Sequence, residues 1–158
     1  MSEARRVVES GYDRIAQRYL EWSARIPDDP RRRFAAELTG RLDDGAPVLD
    51  LGCGAGVPST AALAERHDVL GVDLSEAQLA LARRNVPGAR FRRGDMTGLS
   101  FPDGSFAAVT TFYSVLHVPR EEEPEGPATF HFGFRVFRVA KPPAWGEAPD
   151  EHWALGRR

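Results

Sequence analysis

Val48-Leu49-Asp50-Leu51-Gly52-Cys53-Gly54-Ala55-Gly56 decides how the rest of the chain is read. A short apolar run carries an acid near its end and then meets three glycines at alternate positions. Pro47 to Leu51 is too short for a helix and reads as a buried parallel strand. The glycines let the backbone turn sharply and approach a ligand, because no Cβ stands in the way. Pro58 to Ala64 then reads as a helix start, with proline tolerated in the first turn. Strand, glycine turn and helix together form a unit that binds nucleotide-like ligands at the carboxyl end of a strand. The next strand, Asp68-Val69-Leu70-Gly71-Val72-Asp73, ends in an acid 21 positions after Gly52. An acid at that separation can accept hydrogen bonds from both hydroxyls of a ribose, each contributing about 1.5–3 kcal/mol when buried.

The spacing of the turn narrows the ligand. The dinucleotide fingerprint is G-x-G-x-x-G, whereas the turn here is G-x-G-x-G with Asp50 in front. A pyrophosphate beside Asp50 would be repelled and an ammonium group attracted. An adenosine with a cationic tail is therefore favoured over a dinucleotide. Asp50-Leu51-Gly52-Cys53-Gly54-Ala55-Gly56, followed by Gly71-Val72-Asp73-Leu74-Ser75, resembles the class I S-adenosylmethionine-dependent methyltransferases. The resemblance implies an α/β chain folded as a Rossmann-like three-layer sandwich with a mostly parallel sheet. It also implies S-adenosyl-L-methionine as cofactor, with Asp50, Gly52, Cys53, Gly54 and Gly56 around its methionine part, and Asp73 and Leu74 at its ribose.

With 158 residues the chain reads as one domain. A net charge of −2 and a pI near 6.1 argue against a general nucleic-acid binder. Cys53, the single cysteine, has no internal disulfide partner, which fits a reducing compartment. In a glycine turn it reads as a small residue rather than a nucleophile. No apolar run approaches the roughly 20 residues that span a bilayer, and Met1 to Arg6 lacks an apolar signal core. These features predict a soluble cytoplasmic protein with no nucleic-acid or membrane partner, and no metal site is expected.

Along the chain, a helix is predicted over about Ser2 to Trp22, with Val7, Val8, Gly11, Tyr12, Ile15, Tyr19 and Trp22 sharing one face. Tyr12 to Tyr19 resembles the N-terminal helix that caps the cofactor site in many small-molecule methyltransferases. Tyr12 and Tyr19 then either bond the cofactor's carboxylate and line the substrate pocket, or pack on the core with their hydroxyls at the surface. Ile26 to Pro30 reads as a linker, with Asp29 capping a second helix that starts at Pro30 and runs to about Leu42. Arg31-Arg32-Arg33 reads as a solvated surface. Ser75 and Gln78 suggest a capping box opening the next helix, and Asn85 to Gly88 stops it. Ala89 to Gly94 alternates as a third strand, and Phe106 to Phe112 reads as a fourth, buried one.

In the resembled family an acid after the third strand bonds the adenine amine, and the next residue's backbone bonds a ring nitrogen. Asp95 and Met96 match that pattern; the alternative for Asp95 is a turn cap. In the same family the end of the fourth strand faces the transferred methyl. That brings Tyr113, Ser114 and His117 toward the substrate, with His117, alongside Tyr19, a candidate catalytic residue. His117 would act as general base or only shape the pocket.

The resemblance covers roughly Val7 to Glu123 and then fails. Half of the chain's twelve prolines lie from Pro119 onward. Thr129 to Ala140 alternates and could form a strand, while Lys141 to Arg158 has no periodicity and is expected to be loose. The chain thus divides into a cofactor-binding domain over 1–123, its helices within 1–44 capping the site, and an atypical tail over 124–158. The abrupt change suggests a tail read from a shifted frame, or a divergent natural terminus. Either would leave the C-terminal strands incomplete and the sheet edge beside the fourth strand exposed, available for a homodimer. The functional reading is methyl transfer to a small-molecule acceptor. A catalytically inactive cofactor-binding remnant or interaction protein is the second reading, and a nicotinamide-dependent oxidoreductase, disfavoured by the glycine spacing, the third.

Overall fold

The computed structural model describes residues 3–114, 117 and 134–137. In chain order these form α1 (Glu3–Ser23), α2 (Pro30–Thr39), β1 (Pro47–Leu51), α3 (Ser59–Ala64), β2 (Asp68–Asp73), α4 (Glu76–Asn85), β3 (Arg90–Arg93), a 3-10 turn (Met96–Gly98), β4 (Ala108–Phe112) and β5 (Phe134–Phe137). The sheet runs β3-β2-β1-β4-β5. The first four strands are parallel, and β5 is antiparallel to β4. This is the Rossmann-like α/β fold with a mostly parallel sheet.

Chain direction explains the layers. From β1 to β2 to β3 the chain steps the same way, and right-handed crossovers carry both connecting helices over one face. From β3 it returns past β1 to β4, so that connection crosses the other face. Ala35, Leu38, Leu42, Val48, Leu63, Val69 and Ala108 form the core under α2 and α3. Leu49, Leu51, Val72, Phe106 and Val109 form the opposite core, joined by Met96, Leu99 and Phe101. The reversal of order between β1 and β4 opens a crevice at the strands' carboxyl ends, the usual ligand position in such sheets.

Four expectations change. On α1, Val7, Ile15 and Trp22 are 64%, 42% and 59% exposed; the covered strip is Val8, Tyr12, Ala16, Tyr19, Leu20 and Ser23. The helix lies against α4 and across the crevice rather than on a broad core, so its apolar stripe is narrower than the sequence suggests. Second, α2 ends at Thr39 rather than Leu42, where Gly40 N–H bonds the Ala36 carbonyl. Third, Arg31 is buried, whereas Arg32 and Arg33 are exposed.

The fourth concerns the sheet edge. β4 is not open, because β5 pairs with it from Val109↔Phe137 to Phe112↔Phe134. The alternating segment satisfies β4's outer backbone groups, so the edge proposed for a homodimer is occupied. The boundary at 123/124 and the reading-frame proposal lie outside the described residues. Among the described residues no helix is long and apolar enough to cross a membrane.

Candidate functional site

The crevice encloses about 1060 Å³ of space, part of it open to solvent. Its floor is the turn after β1. Gly52 N–H and Cys53 N–H both donate to the Val72 carbonyl, at 2.7 and 3.1 Å. This locks the turn onto β2. Gly52 has φ +68°, and a Cβ there would sit 2.1 Å from Ser114 Cβ. Only glycine allows the segment after β4 to come this close, with Ser114 Oγ donating to the Leu51 carbonyl at 2.8 Å.

Asp73 ends β2 beneath the same turn. Its carboxylate accepts from Gly54 N–H and Ser75 N–H, both at 2.9 Å. Burial raises its pKa above the ordinary carboxylate value, against the downward pull of those N–H groups. Gly52, Cys53, Gly54, Asp73 and Leu74 all line the crevice. Burial, then the charges of Asp50 and Asp73, push the Cys53 thiol well above its ordinary value. A raised thiol pKa works against thiolate formation there.

Two residues expected at the ligand do not line the crevice. Asp50 is 1% exposed and lies in the sheet between its register neighbours Gly71 and Thr110. Its carboxylate accepts from Thr60 Oγ1 at 2.6 Å and Thr110 Oγ1 at 2.9 Å. It ties α3 to β4 from below the turn, and burial raises its pKa to about 6. Gly56 faces α4: with φ +78°, a Cβ there would come within 3.0 Å of Val86 Cγ2. It lets the turn pack on that helix.

Asp95 and Met96 border the crevice beyond β3. One Asp95 oxygen caps the 3-10 turn, accepting from Thr97 N–H at 3.0 Å and Thr97 Oγ1 at 2.8 Å. The other pairs with Arg5 at 2.6 Å. The turn cap raised as an alternative is thus real, and the second oxygen already has a cationic partner from α1.

α1 spans the whole crevice. Near its start, Arg5 meets Asp95 and Glu9 meets Arg93. In its middle, Asp13 accepts from Ser75 Oγ at 2.6 Å and Ala77 N–H at 3.2 Å, at the N-terminus of α4. Tyr12 Oη and His117 Nε2 share a hydrogen bond of 2.9 Å, and the Tyr12 ring packs edge-on against Tyr19. Tyr12, Tyr19, Tyr113 and His117 all line the crevice. Burial, then Tyr19 and Asp73, raise the Tyr12 phenol above its ordinary value. Tyr113 has φ +62°, a conformation that costs a bulky residue about 1–3 kcal/mol.

Three residues at or beside the crevice carry no site role in the sequence reading. Gln78 donates its N–H to Ser75 Oγ at 3.1 Å, but its side chain does not return to complete a capping box. That amide is buried without a partner among the described residues and borders the crevice beside Gly54. Asp13 carries no local signal, because its partners lie more than sixty positions away. Arg31 carried a signal in Asp29, two positions before it in the helix cap.

Residues 48–132, more than half of the chain, match the methyltransferase domain family. The chain belongs to that family. It is 41% identical over 90 residues to a trans-aconitate 2-methyltransferase of Methylobacterium nodulans, covering 54% of this chain and 33% of that protein. It is 29% identical over 160 residues to sterol methyltransferase-like 2 of Botryococcus braunii, covering 88% and 39%. Among solved structures it resembles S-adenosylmethionine-bound CalS10, an amino pentose methyltransferase of Micromonospora echinaspora, at 33% identity and TM-score 0.56, covering 66% and 46%. The chain spans about a third of the length of the curated relatives it matches.

Proposed function

We propose that the crevice binds S-adenosyl-L-methionine and that the chain transfers its methyl group to a small-molecule acceptor. The observation that carries this reading is the joining of the Gly52–Gly54 turn, Asp73 and the Asp95-Met96 pair along one crevice under α1. When bound, the cofactor supplies a methyl on a sulfonium, open to in-line attack by a nucleophile.

The residues present fit such a ligand. Asp73 has lone pairs left after its two backbone bonds and can accept from ribose hydroxyls. The unpartnered Gln78 amide offers both a donor and an acceptor beside Gly54, which suits an amino-acid tail carrying both charges. Asp50 and Asp73 make this end of the crevice negative and so favour a cation. Asp95 and the Met96 backbone are the proposed contacts of the adenine edge, with Asp95 shared between the ligand and Arg5.

At the other end, Tyr19, Tyr113 and His117 surround the space left for an acceptor. The Tyr12 Oη–His117 Nε2 bond can run in either direction, depending on the tautomer: with Nε2 accepting, a general base acts through the Tyr12–His117 pair, and with Nε2 donating, Nδ1 is the basic nitrogen. Alignment of the two reactants and exclusion of water under α1 account for most of the proposed rate gain.

Calorimetric titration with S-adenosylhomocysteine, with NAD as the control, tests this reading. Micromolar binding of the former alone is expected; absence of binding by folded protein overturns it. A second reading, cofactor binding without turnover, draws on the antiparallel strand that β4 receives in place of another parallel one. Turnover of a labelled methyl donor separates the two.

A further inference from the structure

Arg31 is a cation in a place where a sequence reader expects none. Its side chain is 10% exposed, it stands in the first turn of α2, and it lines the crevice, whereas Asp29 does not. Arg31 Nε lies 3.0 Å from both Asp29 oxygens, and Nη2 lies 2.6 Å from Oδ2. Burial works against ionisation of Asp29, but these bonds and the Arg31 charge hold its carboxyl below the ordinary value.

One edge of the guanidinium is thereby fixed, and Nη1 has no acceptor among the described residues. Arg31 Cζ lies 5.9 Å from the centre of the Tyr113 ring, the same tyrosine held at positive φ. The fork is oriented by Asp29 on one side and flanked by an aromatic face. A guanidinium fork of this kind matches a carboxylate, which it can bind through two parallel N–H bonds. Apolar ligand surface against it would leave buried N–H groups unsatisfied, at about 1–3 kcal/mol each.

We propose that Arg31 is a carboxylate anchor of the crevice. The inference rests on the methyl-transfer reading above and narrows it. The carboxylate has two sources, an acidic methyl acceptor or the methionyl tail of the cofactor. An acidic acceptor would set this chain apart from enzymes that take sterols.

The test uses the full chain and its Arg31→Gln variant, with Asp29→Asn/Arg31→Gln as a second variant that leaves no unpaired buried carboxylate. Circular dichroism checks the fold of each. Three probes are titrated by calorimetry: S-adenosylhomocysteine, 5′-methylthioadenosine, which lacks the amino-acid tail, and trans-aconitate added to protein saturated with S-adenosylhomocysteine. If the anchor holds the acceptor, both variants lose trans-aconitate at least tenfold and keep S-adenosylhomocysteine. If it holds the cofactor tail, they lose S-adenosylhomocysteine at least tenfold and keep 5′-methylthioadenosine. Either result supports the anchor. Affinities for S-adenosylhomocysteine and trans-aconitate that match the wild type overturn it while leaving the methyl-transfer reading intact. Wild-type protein that binds none of the probes overturns both.

Discussion

Replacing Asp50 by asparagine is expected to stabilise the protein above neutral pH and leave it equal or slightly weaker in acid. The reason is the position of the carboxyl, sealed between β1, α3 and β4 with two threonine hydroxyls for company. Its pKa rises from 3.8 to about 6 in the folded chain. A raised folded-state value means that stability is fully present below about pH 4 and is lost as pH climbs through 6. At about 1.4 kcal/mol for each tenfold change in proton affinity, the ionised folded protein carries a penalty of about 3 kcal/mol. That is a large fraction of the roughly 5–15 kcal/mol stabilising a domain. Asparagine keeps the shape and abolishes the charge, at a cost of about 1 kcal/mol for re-pairing one hydroxyl. Thr110 Oγ1 already lies 3.4 Å from the Leu49 carbonyl and can turn to it. The net gain at pH 8 is about 2 kcal/mol, or roughly 4–8 °C in Tm for a chain of this size. Removing the Asp50 charge also eases ionisation of Asp73, which acts in the same direction. Urea unfolding of both proteins at several values from pH 3.5 to 8 gives the comparison. The two stability curves should cross between pH 4 and 6. Parallel curves, or a variant weaker than wild type at pH 8, would refute the account of Asp50 as a buried, strained acid.

Other substitutions probe the rest of the site. Asp73→Ala removes the acceptor for Gly54 N–H and Ser75 N–H as well as the proposed ribose contact; affinity for S-adenosylhomocysteine should fall at least tenfold by calorimetry, and an unchanged Kd would reject the assignment. Gly52→Ala drives a methyl to 2.1 Å from Ser114 Cβ at a positive φ; urea unfolding should record a loss of at least about 2 kcal/mol, partly restored by adding Ser114→Gly. Asp13→Ala deprives Ser75 Oγ and Ala77 N–H of their acceptor; hydrogen exchange in α1 should quicken at least tenfold while sheet amides hold, and equal exchange throughout would show that α1 is held by other means.

What sequence can and cannot convey is visible in these same residues. β1 and β2 are legible because strands buried on both faces are written as apolar runs, and Asp73 because it ends one of them. The turn after β1 is legible because positive φ calls for glycine. The side of the turn on which each group falls is not local information. Asp50 and Gly56 belong to the same nine-residue stretch as Gly52 and Gly54, yet one serves the sheet and the other serves α4. The buried face of α1 was misread for a related reason. Periodicity reports apolar spacing, but this helix is pinned across a crevice by Arg5, Asp13 and Tyr12, whose partners are distant in sequence. Arg31 looked like surface because three arginines in a row face three directions, and only the cap at Asp29 selects the inward one.

The crossbar arrangement of α1 separates how tightly a ligand is held from how long it stays. Arg5, Glu9, Tyr12 and Asp13 grip residues at β3, α4 and the segment after β4, all around the mouth of the same crevice. Any displacement of α1 during passage must break those grips, yet they join protein to protein and are restored once α1 returns. They therefore act on the barrier more than on the end states. Loosening one is expected to quicken both entry and departure. The helix therefore bears on the barrier to passage, while affinity draws on its crevice-lining tyrosines as well as on the strand ends beneath it.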